Sequence, residues 1–194
     1  MSALAGRSST GSDRLGLWLL LALLAGCVTT PRPPPPATEL TLKLSPASLG
    51  RELALSQRIT VVREGERRSF DAQLEADASS VRIAAVAMGQ TVASLTWDGK
   101  TLEQRVSQHV PEAITAERIL SDVQLAWWPA DAVRAGLPAG YRLEEQGAER
   151  TIFEGDAKVA TLTYEGTPPA WRKVVLTKHR YGYQLDIESV EAGP

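Results

Sequence analysis

Between Phe70 and Asp77 the chain alternates without a break: Phe70, Ala72, Leu74 and Ala76 fall on one side of an extended backbone, and Asp71, Gln73, Glu75 and Asp77 on the other. A repeat of two is the repeat of a strand and cannot be gathered on one face of a helix, so this segment has to be a β-strand with one dry face and one wet one. That habit belongs to antiparallel sheets, and it sets a condition on the rest of the chain, which must cover the dry face. The stretches SQRITVVRE and VRIAAVAM continue the series, and the polar clusters EGERR, ADASS and MGQT between them read as hairpin-like connections. TVASLTWDGKTLEQRV adds two strands joined at Asp98-Gly99, a dipeptide that tolerates the positive φ of a tight turn. An antiparallel meander is expected.

The period changes at ITAERILSDVQLAWWPADAVRAGLP. Thr115 is placed to cap a helix, Glu117 and Arg118 lie in its first turns, and Ile119, Leu120, Val123 and Leu125 recur at helical spacings. Pro129 interrupts the pattern, and a second short helix is expected from about Ala130 to Ala135, stopped by Gly136. Strands then resume in YRLEEQ, RTIFE, KVATLTYEG, WRKVVLTKH and YQLDIESV. The fold class is mainly β (α+β): an unclosed antiparallel β-barrel or strongly curved sheet, with the helices inserted mid-chain as a lid.

Ahead of the sheet lies a different kind of segment. Arg7 and Arg14 precede the apolar run Leu15 to Ala25, which is too short to span a bilayer and reads as a targeting segment. Leu24-Ala25-Gly26 leads directly into Cys27, the single cysteine of the chain, and this stretch resembles the lipobox of bacterial lipoproteins. The resemblance implies cleavage before Cys27 and acylation of its thiol. Each buried methylene of an acyl chain contributes about 0.8 kcal/mol, so two or three chains hold a protein at a membrane where one would not. Residues 1–26 are then a lipoprotein signal peptide and 27–38 the lipidated cysteine with a tether. Pro31 and Pro33 to Pro36 lack backbone donors and stiffen it. Residues 39–194 form one domain.

Chemistry is hard to find in that domain. The 21 basic and 23 acidic residues leave a net charge of −2 and are interleaved along the chain, which argues against nucleic acid as a partner. No nucleophile elbow, P-loop, HExxH or CxxC is present, and His109 and His179 stand apart from one another, so no catalytic residue, metal ligand or cofactor is assigned. Trp97, Trp127, Trp128 and Trp171 fit either of two interiors: a solid core packed by large aromatic side chains, or a hollow one whose apolar lining takes a ligand.

The order of parts (lipobox, tether, strand meander, helical insert, further strands) resembles LolB, the lipid-anchored receptor of the bacterial outer membrane, and its periplasmic relative LolA. The likeness is densest from VRIAAVAMGQTVASLTWDGKTLE through ILSDVQLAWWPADAVRAGLP. A kinship with small LolB-like lipoproteins, some encoded among genes for aryl polyene lipids, is also suggested. The resemblance implies a hydrophobic cavity for acyl chains, with Ile59, Val61, Phe70, Leu74, Ile83, Leu95, Trp97, Ile119, Leu120, Val123 and Trp127 as its candidate lining. It also implies a hairpin loop that touches the bilayer, with Met88 and Gly89 as candidates, although Ala87 stands where LolB has a proline. A core gap-filler is the alternative reading of Met88. The function implied is a monomeric, non-enzymatic lipoprotein of the outer membrane, facing the periplasm, that binds a lipid or an acylated protein client and passes it to the membrane. The alternative is a non-catalytic assembly factor that docks a protein partner. Replacing Cys27 by Ser should abolish palmitate labelling and release the protein from the membrane fraction; labelling at the native level would refute the lipoprotein reading.

Overall fold

The computed structural model describes residues 40–107, 115–168 and 170–192. Everything described belongs to one compact unit, residues 39–194. The signal segment, Cys27, the tether and His109 lie outside the described residues.

Ten strands build one antiparallel sheet: β1 (Leu53–Arg63), β2 (Glu66–Ala76), β3 (Val81–Ala87), β4 (Gln90–Trp97), β5 (Leu102–Val106), β6 (Tyr141–Gln146), β7 (Glu149–Glu154), β8 (Ala157–Thr167), β9 (Ala170–Lys178) and β10 (Tyr183–Glu191). Their order is β5-β4-β3-β2-β1-β10-β9-β8-β7-β6, two meanders joined where the first strand pairs with the last. No ladder links β5 to β6 among the described residues, so the sheet is open. In β2, Ala72, Leu74 and Ala76 are buried while Asp71, Gln73 and Glu75 are exposed, which is the division their alternation dictates.

The turns have different origins. Glu64-Gly65 and Met88-Gly89 each carry two successive positive φ values, 53° and 83° in the first and 51° and 75° in the second. This is the type I′ geometry that matches the twist of a two-residue hairpin, and holding a non-glycine residue there costs about 1–2 kcal/mol. Of EGERR only the first two residues turn, since Glu66 already pairs with Arg63. Asp98-Gly99 belongs instead to a longer turn in which the Asp98 carboxylate accepts the backbone N–H groups of Lys100 at 2.8 Å and Thr101 at 2.7 Å. Those bonds hold its carboxyl below the usual range. On the β3 side, β2 is paired only from Asp71 to Ala76; Glu66 to Phe70 extend past the β3–β4 hairpin.

Two helices cross the dry face, α1 (Ala116–Trp127) and α2 (Ala130–Gly136). The Thr115 hydroxyl accepts the Arg118 N–H at 3.3 Å and caps α1. At the other end Arg150 of β7, itself buried, donates to the carbonyls of Leu125 at 2.7 Å and Trp128 at 3.0 Å, while the Tyr164 hydroxyl of β8 donates to Ala126 O at 3.3 Å. A helix C-terminus leaves such carbonyls without partners, and these side chains supply them. Glu145 accepts two bonds from the same guanidinium, at 3.1 and 3.0 Å. Gly136 is the last residue of α2, not the stop beyond it: a Cβ there would lie 2.2 Å from Leu44 Cδ2.

That leucine belongs to an extended strap, residues 40–44, which leads into a short 3-10 turn (Pro46–Leu49). Leu40, Leu42 and Leu44 are buried, and Thr41 and Lys43 face outward. The strap joins no ladder; Leu42 N–H donates to Ser121 Oγ at 3.0 Å and Leu44 N–H to Gln124 Oε1 at 2.9 Å, both on α1. Leu44 O accepts from Trp97 Nε1 at 2.7 Å and Gln124 Nε2 at 3.0 Å. Burying three leucines contributes about 5–9 kcal/mol. Fixing five residues costs about 5–10 kcal/mol, so the strap is held with little to spare.

Burial raises the Tyr164 phenol to about 12, against an ordinary value of 10.0. A folded-state value above the unfolded one means that its contribution is complete below pH 10 and is lost as pH rises toward 12. Tyr164→Phe should flatten that alkaline loss of stability, as followed by urea midpoints across pH. Arg150→Met should cost about 3 kcal/mol at neutral pH, because buried carbonyls lose a charged donor.

Candidate functional site

The strands run between two ends of the sheet. The upper end holds the Glu64-Gly65 and Met88-Gly89 turns and residues 179–182; the lower end holds residues 77–80 and 98–101. Arg118 stacks over the Tyr181 ring at 5.1 Å, and Trp127 lines a cleft together with Leu53, Ala76 and Glu191, so α1 descends from the upper end to the lower. The strap lies beside it in the same direction, with Leu40 level with Ser121 and Ser45 with Trp128.

The sequence candidates fall into two groups along that axis. Leu74, Ile83, Leu95, Trp97, Leu120 and Trp127 are buried in one continuous core with the strap leucines. Ile59, Val61, Phe70, Ile119 and Val123 are half-buried and lie toward the upper end. On a helix of 3.6 residues per turn, Ile119 and Val123 lie round the axis between Asp122 and Trp127. Asp122 faces β9 and β10 through Lys178 and Tyr183, and Trp127 faces β1 and β2. Ile119 and Val123 therefore point at the middle of the sheet, yet both are half-buried while Asp122 and Trp127 on either side of them are buried. Opposite them on the strands are Ile59, paired with Ile187 and Phe70, and Val61, paired with Leu185.

Below this level a row of small side chains crosses three strands: Ala72 pairs with Ala85, and Ala85 with Ala93. The row continues through Gln57 to Ser189, whose side chains share a buried hydrogen bond of 3.0 Å. The next row down is bulky, Leu55, Leu74, Ile83 and Leu95. A volume of about 430 Å³ opens elsewhere, at the lower end, as a cleft among Arg51, Leu53, Glu75, Arg82, Trp127 and Glu191. Trp127 is the sole cavity candidate in its wall, and its indole N–H has no acceptor among the described residues.

Sequence reasoning missed one polar cluster. Lys178 Nζ lies 2.6 Å from Asp122 Oδ1, with both side chains buried, and the Tyr183 hydroxyl donates to Asp122 Oδ2 at 2.8 Å. The Lys178 position was legible as the inward end of VVLTK, where Val174, Leu176 and Lys178 share a face. Met88 is fully exposed at its turn. His179 is exposed too, and its Nε2 is 2.8 Å from Thr161 Oγ1. Among the described residues no group of His, Cys, Asp or Glu could hold a metal ion, and no helix is long and apolar enough to cross a membrane.

A family model described as "Protein of unknown function (DUF3261)" matches residues 54–191. No curated protein matches the chain. Among solved structures, a DUF1329 family protein from Desulfovibrio piger is 11% identical with a TM-score of 0.40, over 75% of this chain and 87% of that one. A domain from Vibrio parahaemolyticus described as an outer membrane lipoprotein-sorting protein domain is 9% identical with a TM-score of 0.39, over 71% and 83%. Neither likeness is close enough to carry a role across.

Asp122→Asn should destabilise the fold by about 3–5 kcal/mol, since it strands a buried ammonium, whereas the double variant Asp122→Leu/Lys178→Met should cost far less. Urea unfolding of both single variants, Asp122→Asn and Lys178→Met, and of the double variant measures the difference; a double cost equal to the sum of the single costs would show that the two charges act independently.

Proposed function

We propose, from the premise that the chain belongs to the DUF3261 family of proteins of unknown function, that it is a lipid-anchored acyl-chain binder of LolA/LolB-like build, tethered through Cys27 at the outer membrane and facing the periplasm. The observation that carries this reading is a set of apolar side chains beside the core that are only half-buried: Ile119 and Val123 on the sheet-facing side of α1, and Ile59, Val61 and Leu185 on the strands. Apolar groups facing one another without closing are suited to take an apolar chain between them. The alanine row beneath adds depth, because Ala72, Ala85 and Ala93 occupy positions where the next row down carries Leu74, Ile83 and Leu95.

A sheet curled into an unclosed barrel accounts for the helix contacts. α1 packs against both β5 and β9, which stand six strand spacings apart in the sheet order. Laid flat, that distance is roughly 28 Å, nearly three helix diameters. Met88, apolar and exposed at the upper end of the sheet, is the membrane contact in this reading, carried on a type I′ turn.

Binding of a solvatochromic fatty acid to the purified chain tests the reading. Ile59→Trp should weaken binding at least about tenfold with stability nearly kept, while Leu74→Trp should lose about 1–3 kcal/mol of stability by overpacking a closed core. Met88→Glu should bind the probe normally and deliver it poorly to vesicles, a charge being unwelcome among acyl chains. A wild-type chain that takes up no fatty acid or acylated peptide would leave the solid-core alternative, a docking protein, in its place.

A further inference from the structure

Among the described residues three tryptophans are buried, Trp97, Trp127 and Trp128, and their indole N–H groups fare differently. Trp97 Nε1 donates to Leu44 O at 2.7 Å and Trp128 Nε1 to Ser48 Oγ at 3.1 Å, whereas Trp127 Nε1 has no acceptor among the described residues. A buried donor left unmet costs stability, and buried polar groups in folded proteins are nearly all paired. Trp127 is only 4% exposed, and the backbone around it is held: Arg150 takes the carbonyls of Leu125 and Trp128, and Tyr164 that of Ala126. The same residue stands in the wall of the lower cleft, whose volume of about 430 Å³ falls in the range of small-ligand sites, about 300–1,000 Å³. Leu53, Leu55 and Ala76, all from the dry face, make the neighbouring wall apolar.

The charged residues of the cleft are distributed with a bias. Glu191 follows Ile187 and Ser189 by steps of two and pairs with Leu55, so a carboxylate stands at the end of β10 where the period places an inward side chain. The lining as a whole carries four acids, Glu52, Glu75, Asp77 and Glu191, against two arginines, Arg51 and Arg82. Arg82 lies 3.1 Å from Glu75 and 3.9 Å from Asp77, and Arg51 interacts with Glu191. The balance left is negative, which favours a cation and disfavours an anion. We infer that the lower cleft is a binding site for a small apolar α-amino amide: its carbonyl accepts from Trp127 Nε1, its side chain lies on Leu53, Leu55 and Ala76, and its ammonium group faces Glu191. The bulky row of Leu55, Leu74, Ile83 and Leu95 stands between this cleft and Ile59 and Val61 above, so the site does not rest on the acyl-binding function.

The test uses the full chain carrying isotope-labelled tryptophan, so that each indole N–H gives its own resonance. Leucinamide, added in the millimolar range expected for so small a ligand, should move the Trp127 resonance and saturate. N-acetylleucinamide, which lacks the charge, should bind about fivefold more weakly, and leucine, whose carboxylate meets the acids of the lining, more weakly still. Glu191→Gln, at an exposed position, should bring leucinamide and its acetylated form to the same affinity. Trp127→Phe should weaken leucinamide about tenfold by removing the donor. Where Trp127→Phe does not fold, the wild-type resonance and Glu191→Gln decide. A Trp127 resonance that leucinamide leaves in place overturns the inference, as do equal affinities of the two amides for the wild type or a difference that survives Glu191→Gln. A folded Trp127→Phe that binds leucinamide as tightly as the wild type overturns it too. A tripeptide amide that begins with leucine identifies the source: tighter binding than leucinamide supports the first residue of a peptide as the ligand, and weaker binding supports a free small amide.

Discussion

A sheet that is dry on one face only must be covered, and the helical insert that covers this one is set by where its carbonyls can be satisfied. Arg150 is the fixed point. Its guanidinium takes two carbonyls at the end of α1 and is balanced by Glu145, so β6, β7 and the helix are bound through one buried group. With the lower end of α1 pinned there, Trp127 is set against β1 and β2, Asp122 against Lys178, and Ser121 and Gln124 toward the strap. The core below the alanine row follows from that placement.

Much of this was legible because burial imposes a period. The alternation in β2 and the helical spacing through Leu120 and Leu125 locate the elements, and Thr115 marks the start of α1. What the sequence hid was mostly a matter of which group meets which. LTLKL alternates as a strand would, but a strand is defined by its ladder, and this segment has none to read. Gly136 follows a helix as a stop signal would, yet its role is to make room for Leu44. Asp98-Gly99 has the letters of a two-residue turn, while Met88-Gly89, with a less suitable first residue, adopts one.

The candidate lining divides for a related reason. Residue type and alternation select the inward face of a strand, and Leu74 and Ile59 qualify equally. Leu74 is buried and Ile59 only half-buried because burial at each level depends on what packs over it, which the residues of one strand do not encode. The inward lysine at position 178 and its partner Asp122 were separately visible as polar residues at apolar positions; their meeting depends on the pairing of β9 with β10 and cannot be read from either segment alone.

The pairing of β1 with β10 has a consequence in time. Leu55 meets Glu191 and Arg63 meets Tyr183, so the strand made first is completed by the strand made last. The two meanders can form from local hairpins, but the seam between them is a contact of very long sequence separation and carries the loop-closure cost that slows such topologies. Until β10 has emerged, β1 offers an unpaired edge and the leucines of the strap have no finished surface to meet.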